Sequence, residues 1–136
     1  MSAYKKPLPR INKLNAPFWT GARQHQLLLQ RCTACGKPWF PPSHRCPICL
    51  DNAYEWAAAS GRGKVWSWIN MWQRYFPEFE NEIPYVVAYV ELDEGPRLMT
   101  NVIDCNPDEL RCDLPVEVVF DDVTDEISLP RFRPIR

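Results

Sequence analysis

Apolar and polar residues alternate in short runs over most of this chain, and helical spacing is confined to one stretch near the amino terminus. There Pro17, a favourable first helical residue, precedes Phe18, Trp19 and Ala22 and then Leu27 to Leu29, which predicts a short helix running into a strand by Gln30. Leu28 to Pro42 reads as a hairpin, and Arg45 to Ala57 as a tight turn leading into a strand that ends in Trp56. Beyond the turn Ser60-Gly61-Arg62-Gly63, strand-like runs cover Lys64 to Tyr75, Tyr85 to Asp93, Arg97 to Ile103 and Val116 to Asp121, with a last extended piece from Ile127 to Arg133. Five such strands make a small barrel. Glu94-Gly95-Pro96, Asn106-Pro107-Asp108 and Asp121-Asp122 have turn chemistry, and Phe76 to Pro84 is a longer acidic loop.

The pattern divides the chain into an arm and short helix over 1–30, a cysteine-rich unit over 31–59 and a barrel over 60–136. In the arm, Met1 to Asn15, Pro7 and Pro9 forbid a regular helix and little apolar surface is offered, so it is expected to order only against a partner. A length of 136 residues accommodates one core, or a metal-stapled unit beside one small β-domain, but not two ordinary domains. Fourteen prolines against five glycines, with six tryptophans, fit short strands and fixed turns.

Charge narrows the partners. Lys and Arg number 16 against 17 Asp and Glu, so no global field draws in a polyanion, and nucleic acid is disfavoured. No apolar run reaches the length of a bilayer span and none opens the chain as a leader, which leads to the expectation of a soluble, cytoplasmic protein.

The candidate chemistry lies in the cysteines. Cys32, Cys35, Cys46 and Cys49 form C-x2-C-x10-C-x2-C, two turns that each present a pair of sulfurs, as tetrahedral zinc requires. Gly36 relaxes the first turn and Pro47 stiffens the second, while Leu50 stands where glycine would be easiest. A complete sulfur set leaves no open coordination position, so the metal is expected to be structural. The alternatives are four buried or disulfide-bonded cysteines, or iron in the same site. His44 lies between the pairs and reads as solvent-facing, and Cys105 and Cys112 as half-buried thiols.

Strict alternation from Lys64 to Phe76 puts Val65, Ser67, Ile69 and Met71 on one face and Trp66, Trp68, Trp72 and Arg74 on the other. The tryptophan face is either covered by the ribbon and helix or is a binding surface, for a nucleobase or for the adenine and acyl chain of a thioester. Two histidines, no glycine-rich phosphate loop and no Gly-x-Ser-x-Gly elbow favour a protein that is not an enzyme.

Several runs together are more specific than any one of them: Phe18-Trp19, the two cysteine pairs, Pro41-Pro42, Ser60-Gly61-x-Gly63-x-Val65, Pro84 to Ala88, Val90 to Arg97 and Pro115 to Val118. From about Phe18 to Pro134 the chain resembles the family catalogued as domain of unknown function number thirty-five. The resemblance implies a helical segment, a rubredoxin-like zinc ribbon and an OB-fold barrel. It also implies a hetero-oligomer in which the chain assists acyl-CoA thioester binding by a thiolase-superfamily enzyme. That partner is a thiolase, an acyltransferase, a hydroxymethylglutaryl-CoA synthase or a steroid side-chain aldolase, and it carries the catalytic residues. Two positions depart from the family pattern, Leu50 and the pair Asp113-Leu114, and Glu94, Gly95 and Arg97 match a family turn with no assigned task. The competing reading is a single-stranded nucleic-acid module, and a third is an enzyme acting through Cys105 or Cys112.

Overall fold

The computed structural model describes residues 4–73, 76–78 and 83–136. One α-helix, a 3-10 helix (Pro107–Glu109) and eight strands are described: α1 (Ala16–Arg23), β1 (Leu28–Cys32), β2 (Pro38–Trp39), β3 (Tyr54–Ala58), β4 (Arg62–Met71), β5 (Tyr85–Leu92), β6 (Arg97–Thr100), β7 (Pro115–Asp122) and β8 (Ser128–Pro134). The expected architecture is present, mainly β with a short amino-terminal helix.

Helix α1 is entered through a reciprocal pair in which each of Asn12 and Asn15 donates its backbone N–H to the other's side-chain oxygen at 2.8 Å. It ends with His25 in the left-handed region (φ 60°). There the N–H groups of His25 and Gln26 return to the carbonyls of Ala22 and Gly21, satisfying acceptors that a helix end leaves open. Phe18 and Ala22 face inward, and Phe18 joins the barrel core.

Strands β1, β2 and β3 form an antiparallel sheet in the order β2-β1-β3, with Gln30 opposite both Trp39 and Trp56. The second sheet has the order β6-β5-β4-β7-β8. It curls until its two edges meet: Val102 and Phe132 form a parallel bridge, the Ile103 N–H donates to the Phe132 carbonyl at 2.8 Å, and the Phe132 N–H donates to Asn101 at 3.0 Å. A five-stranded sheet closed between its third and fifth strands is the OB-fold arrangement. Its interior holds Val65, Val90, Val116 and Phe132 at zero exposure, and Leu27 and Leu29 enter from the end of β1 and the turn before it. Among the described residues, no helix is long and apolar enough to cross a membrane.

Two expectations change. The arm does not stand clear of the molecule, because Tyr4, Lys6 and Pro7 wall a cavity of about 530 Å³ together with residues of β5 and β8. The strict alternation along β4 also fails, at a β-bulge described below.

Candidate metal centre and the outer aromatic face

The first cysteine pair follows β1 and the second lies in the loop before β3. Antiparallel pairing of Cys32 with Tyr54 holds the two ends of this segment side by side, and two turns bring the sulfurs together. The Gly36 N–H donates to the Cys32 carbonyl at 2.9 Å and the Leu50 N–H to the Cys46 carbonyl at 2.8 Å, closing each turn in the same way. Gly36 and Leu50 occupy equivalent left-handed positions, φ 78° and 66°. Glycine takes that conformation without strain, whereas Leu50 carries a Cβ into it.

All four Sγ atoms lie within 4.8 Å of one another. Cys32 and Cys49 are 3.4 Å apart and Cys35 and Cys46 are 3.7 Å apart. Sulfurs bound to one zinc at about 2.3 Å sit roughly 3.8 Å from each other in a tetrahedron, whereas a disulfide needs about 2.0 Å. The quartet therefore fits a tetrahedral ion and not a pair of disulfides. Backbone N–H groups serve the sulfurs: Cys35 donates to Cys32 at 3.4 Å, and Ile48 and Cys49 donate to Cys46 at 3.4 and 3.5 Å.

These bonds split the thiols electrostatically. The Cys35 amide pulls Cys32 below its ordinary value despite burial. At Cys46 burial pushes the thiol up, but the Cys49 and Ile48 amides win and bring it to about 7. At Cys49 the Asp51 amide pulls down, and is outweighed by Cys32, burial and the remaining sulfurs, which push it up to about 12. Four clustered sulfurs cannot all ionise unaided, and a divalent cation is the charge that permits it. His44 is exposed and stands outside the quartet, as expected.

One residue the sequence did not single out holds this site in place. Gln30 is 1% exposed, donates from Nε2 to the Ser43 carbonyl at 2.8 Å and accepts the Ser43 N–H at 2.8 Å. This clamp fixes the loop ahead of Cys46. In sequence Gln30 looks like the polar half of an alternating strand, and only its position in the folded ribbon shows otherwise.

In β4 the register with β5 shifts between Val65 and Ser67, so Trp66 has no single partner. Both Trp66 and Ser67 face outward as a result, and Trp68, opposite the buried Ala88, packs on the barrel core. The grouping of Trp66 with Trp68 on one face is thus corrected: Trp66 is 46% exposed, whereas Trp68 is half-buried. Val65 exchanges hydrogen bonds with the loop before β7, donating to Leu114 and accepting from Asp113, which fixes the strand just before the bulge. Ile69, expected on the same face as Val65, is 54% exposed whereas Val65 is fully buried. Trp72, beyond the end of β4, is 70% exposed, and Arg74 lies outside the described residues.

With that geometry established, comparison with known proteins is informative. The family description "ChsH2, rubredoxin-like zinc ribbon domain" matches residues 19–55 and "ChsH2, C-terminal OB-fold domain" matches residues 56–121. A DUF35 domain-containing scaffold protein of Methanocaldococcus jannaschii is 32% identical over 111 residues, 80% of this chain and 78% of the relative. The chain belongs to the DUF35 family.

Other relatives carry more specific names. A probable enoyl-CoA hydratase alpha subunit of Thermomonospora curvata is 40% identical over 129 residues, 95% of this chain, which spans only 40% of that relative's length. A benzoylsuccinyl-CoA thiolase subunit of Thauera aromatica is 30% identical over 95 residues, covering 70% of this chain and 63% of the relative. A solved structure titled Ltp2-ChsH2(DUF35) aldolase contains a chain that superposes with a TM-score of 0.83 at 40% identity, covering 93% of this chain and 98% of that one.

Both departures from the DUF35 pattern fall on left-handed backbone. Asp113 has φ 68°, so the turn before Pro115 keeps a conformation suited to glycine, as Leu50 does at the second knuckle. The Glu94-Gly95-Arg97 turn now has a task. Glu94 accepts the Ser60 N–H at 2.8 Å, Gly95 takes φ 116°, and Arg97 stacks its guanidinium 3.9 Å from the centre of the Trp66 ring. Cys105 and Cys112 are not brought together with a base: Cys105 donates to the Asn106 carbonyl, and Cys112 to the Trp66 carbonyl at 3.6 Å. Burial and then Glu109 push the Cys105 thiol up, the opposite of activation.

Proposed function

We propose that this chain is a non-catalytic accessory subunit that joins a thiolase-superfamily enzyme in a cytoplasmic hetero-oligomer and assists binding of its acyl-CoA thioester. The observation that carries this reading is the likeness, across nearly the whole chain, to the DUF35 chain of an aldolase titled for two proteins. The relatives named as subunits of a thiolase and an enoyl-CoA hydratase support it.

In this proposal the parts have separate tasks. Residues 1–30 form an arm and helix that strap the unit, 31–59 a ribbon closed by zinc, and 60–136 the barrel. Zinc bound by Cys32, Cys35, Cys46 and Cys49 supplies folding energy and no open coordination position for chemistry. The ligand or partner surface expected at Trp66, Trp68, Trp72 and Arg74 narrows to Trp66 and Trp72, because Trp68 belongs to the core packing.

Co-expression with a thiolase-superfamily enzyme from the same organism tests the reading. The expected outcome is one complex on size exclusion, with one equivalent of zinc per copy of this chain, and a lower KM for the acyl-CoA than the enzyme shows alone. A chain that binds no such enzyme, or that turns over acyl-CoA unaided, sinks it.

A further inference from the structure

The bulge at Trp66 has a counterpart in what surrounds it. The bulge in β4 leaves Trp66 and Ile69 on the outward side of the sheet with Tyr89 of β5 and Met99 of β6; the four are 46%, 54%, 38% and 58% exposed. The register makes them neighbours, since Tyr89 is opposite Met99 on one side and Ser67 on the other, and Ile69 is opposite Val87. Trp66 meets the Tyr89 ring edge-on at 6.2 Å. Such side chains offer about 200 Å² each when fully exposed, so the four leave roughly 400 Å² of contiguous apolar surface in water. That is the size of the largest apolar patch on a typical monomer, which is often a functional surface.

The border of this patch identifies its occupant. Arg97 covers the Trp66 ring and pairs with Glu91 at 3.1 Å, while Lys64 lies 3.8 Å from Glu91 and 3.7 Å from Asp113. Two cations and two anions alternate there, with no excess of either sign to attract the phosphates of a nucleotide or a coenzyme. An apolar centre of roughly 400 Å² inside a charged rim is what one side of a standard protein interface of about 800 Å² per partner contains, given that such interfaces are about 60% apolar.

We propose that the outer face of β4, β5 and β6, centred on Trp66, Tyr89, Ile69 and Met99, is where this chain seats on its thiolase-superfamily partner, and that it is not an acyl-CoA site. The inference rests on the accessory-subunit reading and adds the surface to it. Trp66 points outward at the bulge and Arg97 stacks on its ring, so the largest contact group is already held before the partner arrives.

The test uses the full-length chain with its zinc and a co-expressed partner. An Ile69→Lys/Met99→Glu double variant changes two exposed side chains, and Glu126→Lys, on the exposed turn between β7 and β8, serves as control. The expected result is a loss of partner affinity of at least about a hundredfold for the double variant. Unchanged metal content and melting temperature, and unchanged partner affinity in the control, complete that expectation. Full partner binding by the double variant overturns the surface assignment and leaves the accessory-subunit reading standing. A wild-type dimer that the double variant dissolves would make a second copy the occupant and also overturns it. A wild-type chain without affinity for any thiolase-superfamily enzyme takes down both.

Discussion

Around its four cysteines the ribbon's apolar cluster is Cys32, Trp39 and Cys46, with Tyr54 packed at their edge, whereas the barrel and α1 share a continuous interior from Phe18 and Leu27 to Phe132. The ribbon's hydrophobic content is too small to offset the entropy of ordering its loops, so an ion held by the four sulfurs would supply most of its stability. The barrel distributes its stability over many apolar contacts of moderate size. β1 belongs to both regions: Leu29 packs in the barrel interior and Cys32 faces the metal centre. The same strand therefore connects the candidate metal centre to the apolar interior of the barrel.

Removing the metal should produce the largest effect and separate the two regions most clearly. With a strong chelator, or with Cys46→Ser, amide signals from 33–53 are expected to collapse toward unfolded positions while those of β4 to β8 stay protected. Hydrogen exchange followed by NMR checks this, and joint loss of both regions would show that they are not separable. The complementary change is Phe132→Ala at a fully buried position, expected to cost about 3–5 kcal/mol by urea denaturation. Here β4 to β8 should lose protection first.

A smaller effect of opposite sign is expected in the ribbon. Leu50→Gly removes a Cβ from a left-handed position and a side chain that is 67% exposed, so it should stabilise the metal-bound ribbon by up to about 1 kcal/mol. A fall in stability on this substitution would show that Leu50 makes contacts that outweigh its strain. The smallest effect concerns the clasp between α1 and the barrel. Asp122 accepts from the Ser128 hydroxyl, lies 3.0 Å from His25 Nε2, and is held below its ordinary value first by Ser128 and then by His25. A depressed carboxyl contributes its stability above the unfolded value near 3.8 and loses it as pH falls through the lower folded value. Asp122→Asn should therefore flatten the acid limb of the stability profile below about pH 4 and lower the plateau above it by the amount the depressed carboxyl contributes, as pH-dependent urea denaturation would read.

How much of this was legible in the sequence follows from the range of the interactions involved. The cysteine quartet could be read because two-residue spacings fix the knuckles locally, and the five barrel strands because turn chemistry at Glu94-Gly95-Pro96 and Asn106-Pro107-Asp108 bounds them. The bulge at Trp66 could not, since no glycine or proline marks it. The loop before β7 pins Val65 there, about fifty residues along the chain, and Ser67, Trp68 and Ile69 fall on the opposite sides from those expected in consequence. For the same reason Ile69 and Trp68 exchanged their expected places. Gln30 was invisible for a related cause: its partner, Ser43, is brought to it only by the folded loop.

That clamp also governs alignment. Neighbouring positions of β1 send Leu29 into the barrel and Gln30 to Ser43, and both side chains are buried. A slip of one residue against β3 would thrust an amide among hydrocarbons and leave the Ser43 backbone facing a leucine. The pairing thus has one acceptable phase, set by an uncharged side chain, and in that phase the two sulfur turns face each other in the sense that lets them share one ion.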